Sequence, residues 1–138
     1  MTAQQEKKVD YLKEYTDLWK DIEVKCEQIE KLNSKAKKVT STISAAPGTS
    51  GNKQDFTIIV DKIIKLTEDL QQDINTMLTK RRKIESAINK IKSPLHKRVL
   101  TRKYINGDSF SYIAEKERKS YKYIANDIHQ QALDMLVL

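Results

Sequence analysis

The side chains of this 138-residue chain best suited to nucleophilic, acid–base or zinc chemistry are two histidines, His96 and His129, and one cysteine, Cys26. Their spacing supports none of it. Cys26 has no CxxC partner and no neighbouring histidine, and a single thiol cannot close an internal disulfide. There is no Ser-His-Asp order with supporting motifs, no glycine-rich phosphate loop and no acidic cluster at metal-ligand spacing. The chain is therefore expected not to be an enzyme, and no cofactor, metal or small-molecule substrate is expected. A different chemistry is concentrated near the C-terminus. Residues 93–138 hold eight Lys/Arg against five Asp/Glu, and four of the eight are Lys116, Arg118, Lys119 and Lys122. Cations clustered at one turn are suited to meeting phosphates.

The elements that must position this cluster follow from composition and periodicity. With 26 Lys+Arg against 19 Asp+Glu the formal net charge is +7, and 33% charged residues with three glycines and two prolines favour long helices over a large compact interior. From Val9 to Ile43, apolar residues recur at steps of four and three through Tyr11, Tyr15, Leu18 and Ile22, with Lys25 in the seam, then Ile29, Leu32, Ala36 and Val39. A second stripe runs from Phe56 through Ile63, Leu70, Met77 and Ile84 to Ile91. Pro47, Gly48 and Gly51 gather with Ser and Thr between them. The pattern predicts an all-α protein whose residues 1–92 form a long, coiled-coil-like antiparallel hairpin, with helices over about 5–39 and 55–92 and a flexible loop over 40–54. Helices of ~50 Å make a slender pair that needs a third layer or a second copy, so a homo-oligomer through the helical arm is expected. The densest apolar run, Phe56 to Val60, is far short of the ~18 residues of a membrane span, and the lone cysteine suits a reducing compartment. No membrane partner and a cytoplasmic location are expected.

Ser93-Pro94 ends the second helix, since proline restricts the residue before it and starts a new helix well. Residues 93–138 then read as three short helices. Asn106-Gly107-Asp108-Ser109 closes the first and caps the second. Phe110, Ile113 and Ala114 face inward, Ser120 is the next N-cap, and Ile124, Ile128 and Ala132 supply the inner face of the last helix. An Ile-Ala pair, a tight turn, a Ser cap and an Ile four residues on is helix-turn-helix spacing.

The residues from Leu100 to Ala114, with Lys119-Ser-Tyr-Lys-Tyr-Ile124 and His129-Gln-Gln-Ala-Leu133, resemble region 4 of bacterial sigma factors, and more closely the phage late-gene transcription regulators of the ArpU and RinA type. The likeness covers roughly the last 40 residues. It implies a sequence-specific DNA-binding regulator of transcription, phage- or prophage-encoded and acting on late genes in a bacterial host cell, with double-stranded DNA and RNA polymerase as partners. Three departures bear on the contacts. Glu117 sits where an apolar residue is often found. Arg118 stands where a turn glycine is usual, so either a side chain tolerates an unusual backbone angle or the turn changes shape. The four-residue spacing of Ile124 and Ile128 implies a rotated reading face.

The resemblance places the last helix in the major groove. Its base-reading face would be Tyr121, Lys122, Ala125, Asn126 and His129, with Asn126 suited to adenine, Lys122 to guanine or phosphate and the Ala125 methyl to thymine. Phosphate contacts would come from Arg118, Lys119 and Ser120, joined by Arg102 and Lys103 of the preceding helix. The competing reading is a helical protein-interaction module that binds RNA polymerase or another host protein without reading DNA. Asp127, Glu115, Glu117 and the apolar tail Leu133–Leu138 favour it.

Overall fold

The first helix is announced by its first side chains. The Gln5 amide donates to Thr2 Oγ1 at 3.2 Å, and the Thr2 amide donates to Gln5 Oε1 at 2.9 Å, a reciprocal capping box. In the computed structural model, which describes residues 1–45 and 50–138, helix α1 runs Ala3–Ala45 and α2 runs Ser50–Asn89. The two pack as a hairpin, and every regular element among the described residues is helical. The expected loop over 40–54 is shorter than its composition suggests, because 40–45 and 50–54 are helical. Thr40 and Ser41 turn their hydroxyls back to the carbonyls of Ala36 and Lys37, at 2.9 and 3.0 Å, and Thr57 does the same to Lys53. Hydroxyl residues satisfied in this way sit inside a helix at little cost. The remainder of the expected loop, 46–49, lies outside the described residues.

Contacts divide the chain not at Ser93 but into Trp19–Thr76 and a second compact unit made of Met1–Leu18 with Met77–Leu138. Within Trp19–Thr76, Ile22 is the only described residue that is buried; Ile29, Leu32, Val39, Ile63 and Leu66 are half-buried. Lys25, in the apolar seam, donates to the Asp73 carboxylate. That hydrogen bond, with the nearby charges of Asp69 and Asp21, raises the Lys25 pKa.

The other unit is denser. Its α1 segment carries two inward stripes. Tyr11 and Tyr15 continue the seam toward α2, where Lys80 lies over the Tyr11 ring and bonds Glu14 at 2.7 Å. Gln5, Val9 and Leu12 form a second buried line one step round the helix. Gln5 Nε2 donates to Asp134 Oδ1 at 2.9 Å, and Lys8 Nζ donates to the Leu133 carbonyl at 2.7 Å. The start of the arm is thus part of the support of the last helix, while Met77, Ile84, Ala87, Ile88 and Ile91 are buried on the α2 side.

Beyond α2 the chain is extended at Ser93 (φ −76°, ψ 118°), and Pro94 opens α3, Pro94–Leu100. A wide turn over Thr101–Ile105 extends α3, with the Asn106 amide reaching back five residues to the Thr101 carbonyl at 3.0 Å. Gly107, at φ +74°, reverses the chain. Helix α4 is Phe110–Glu117, and a second wide turn, Tyr123–Ile128, runs into α5, His129–Met135.

Candidate nucleic-acid interface

The turn between α4 and the last helix is fixed by backbone hydrogen bonds. Ser109 caps α4 by accepting from the Tyr112 amide at 3.2 Å. At the other end Arg118 takes the left-handed conformation, φ 55° and ψ 44°. The Lys119 amide bonds the Ala114 carbonyl at 3.0 Å and the Arg118 amide bonds the Glu115 carbonyl at 3.2 Å. This is a Schellman closure with arginine where glycine is usual, so the backbone angle is tolerated and the turn keeps its shape. Ser120 Oγ then accepts from the Tyr123 amide at 3.1 Å and starts the next helix.

Packing settles which side of that helix faces out. Val99 from α3, Ile113 and Ala114 from α4, and Ile124 and Ile128 form one buried cluster, with Leu95 and Phe110 against it. With those positions inward, Arg118, Lys119, Ser120, Tyr121, Lys122 and Asn126 are exposed and Ala125 is half-buried at the edge. Seven of the ten residues expected to contact DNA therefore lie together on one outer surface. Tyr121 is 56% exposed, and its ring meets Phe110 edge-on at 6.4 Å between centroids.

Three expected contacts fall elsewhere. His129 is 3% exposed and turned inward rather than toward a groove. Its Nε2 shares a 2.7 Å hydrogen bond with the Tyr104 hydroxyl, and its ring packs edge-on to Phe110 at 4.9 Å. The cause is the wide turn before it. An i→i+5 segment holds more residues per turn than an α-helix, so residues after it rotate back, here toward the core. Burial lowers the His129 pKa to about 4, helped by the charges of Lys103 and Lys13, and burial pushes the Tyr104 phenol well up. Lys103, expected on phosphate, is half-buried with Nζ 4.4 Å from the Phe110 ring centroid, and its pKa is lowered by burial and by Lys13. Arg102 is half-buried and paired with Asp108 at 3.8 Å. Both preceding-helix cations are thus engaged within the fold.

Sequence reasoning passed over two exposed tyrosines. Tyr123 follows Lys122 in the chain, and Tyr112, on the outer side of α4, has Lys116 Nζ 5.3 Å from its ring centroid. Both lie off the Ile113/Ala114 and Ile124/Ile128 stripe, which was the available signal. Of the features suited to a protein partner, Glu117 is held by two bonds from Arg98, at 2.7 and 2.9 Å, which lower its pKa. In the tail Leu133 and Leu136 are buried, whereas Met135, Val137 and Leu138 are exposed.

Among the described residues no helix is long and apolar enough to cross a membrane, and no three His, Cys, Asp or Glu side chains gather as a metal site would need. Comparison of the chain with protein-family models, with curated proteins and with solved structures finds no match.

Proposed function

We propose that this chain is a sequence-specific double-stranded DNA-binding regulator of transcription, of the phage late-gene kind, whose last helix enters the major groove. One observation carries the reading. A left-handed Arg118 turn and a Ser120 cap present Lys119, Tyr121, Lys122 and Asn126 on the open side of a helix whose other side is locked by Ile124 and Ile128. Cations at the turn and the first helical turn suit phosphate, and Lys122 with Asn126, four residues on, suits base edges. A head of this size offers roughly 600 to 1,000 Å² to a duplex, so two copies joined through their arms would reach useful affinity. RNA polymerase is the further partner this reading implies.

The test is selection of random duplexes by the purified protein near physiological salt, repeated with Lys122→Ala combined with Asn126→Ala. An enriched motif that disappears in the folded double variant is expected. Binding should weaken steeply with salt. Enrichment that survives the double variant would overturn the assignment of the reading face, and absence of salt-dependent duplex retention would overturn DNA binding itself.

A further inference from the structure

The charges of Trp19–Thr76 are segregated along its length. Residues 31–65 hold seven lysines against two aspartates, whereas 19–30 and 66–76 together hold two lysines against seven carboxylates. One face carries part of each block. Lys35, Lys38 and Lys62 rim a groove of about 410 Å³ over Leu32, Val39 and Ile58, in which Asp55 is the one carboxylate. Heptad steps continue that face into the acidic block: Asp21 lies two heptads before Lys35, Val24 two before Lys38, and Asp69 one after Lys62. Asp21 and Asp69 both lie near the Lys25–Asp73 pair. Val24 and Ile58 are aliphatic side chains 54% and 53% exposed.

This unit also lacks a closed interior. A single layer of two helices leaves its seam half-open, with only Ile22 buried among the described residues, and such a pair gains its stability from another layer. We propose that the second layer is the same face of a second copy, lying antiparallel, so that the lysine-rimmed groove of one hairpin takes Val24 of the other while its lysines meet Asp21 and Asp69. A two-fold axis across the hairpin makes each of these contacts twice. Parallel pairing would instead set lysine on lysine. At ~1.5 Å per residue the helical length from Trp19 to Ala45 is ~40 Å. Two helices abreast would therefore cover on the order of 800 Å² per partner, the extent of a stable interface. The inference rests on the arm pairing proposed above and not on DNA reading, since it concerns the protein alone.

Sedimentation analysis of the full chain without DNA tests it. The wild type should dimerise, more weakly as salt rises. Lys35→Glu/Lys38→Glu/Lys62→Glu and, separately, Asp21→Lys/Asp69→Lys should each raise the dimer dissociation constant at least tenfold while circular dichroism stays helical. An equimolar mixture of the two variants should dimerise again, because each reversed block then meets its complement. A wild type that stays monomeric, a dimer indifferent to both variants, or a mixture without recovery refutes the pairing. A monomer that binds an acidic peptide through the lysine groove refutes it equally and assigns the groove to another chain.

Discussion

Acidification should destabilise the C-terminal helices through one side chain. His129 is neutral where it lies, because burial and the charges of Lys103 and Lys13 hold its pKa down at about 4 against an ordinary 6.5. The unfolded chain takes up a proton as pH falls below about 6.5, and the folded chain does not until about 4. Stability is therefore full above the higher value, falls through this window and ceases to fall, on this account, below the lower one. At about 1.4 kcal/mol per tenfold change the window is worth about 3 kcal/mol. With a urea dependence of about 1–3 kcal/mol per molar, the midpoint should fall by at least about 1 M. Hydrogen exchange of amides in 94–135, measured against urea from pH 7 to pH 4.5, reads this unit separately from Trp19–Thr76. His129→Phe should abolish most of the slope. Glu117, whose pKa Arg98 lowers, loses its contribution only at more acid pH and stays as a common background in both proteins. A wild type flat between pH 7 and 4.5, or a His129→Phe protein with the same slope, would refute the account of the buried imidazole.

Arg118→Gly should relieve the left-handed backbone and leave the fold as stable or more stable by about 0.5–1 kcal/mol, while duplex affinity falls and its salt dependence becomes shallower by about one phosphate contact; thermal melts and salt titrations check the two halves separately. Leu12→Ala, at a fully buried position in the first turns of α1, should cost about 2–5 kcal/mol. Faster exchange of α5 amides would show that cost reaching the helix that Gln5 and Lys8 hold, and unchanged exchange there would contradict the support described for it.

Local signals make much of this legible in the sequence. Pro94, Gly107 and the Ser109 and Ser120 caps each act through their own backbone neighbours, and the two stripes needed only a helical period. The rest depended on partners remote in the chain. Gln5 and Lys8 are polar, so nothing in their types marked a packing stripe until Asp134 and the Leu133 carbonyl came to meet them. The wide turn over Tyr123–Ile128 was hidden because Ile124 and Ile128 keep a four-residue spacing that suits an ordinary helix. His129 accordingly lay on the outer face by counting and on the inner one by rotation. The Arg118 turn lacked the glycine that would have announced it, although the shape it preserves is what gathers Lys119, Tyr121 and Lys122.

The Lys25–Asp73 pair has a consequence for how the long helices find each other. An apolar seam repeats every seven residues and is nearly indifferent to sliding by one repeat. A lysine within it is not indifferent. Displaced by a heptad either way, Lys25 would face Leu66 or Lys80 instead of Asp73, leaving a half-buried charge without its partner or setting two cations together. The pair works as a key cut for one alignment: its net stabilisation is small, and its effect is to penalise the neighbouring misaligned hairpins.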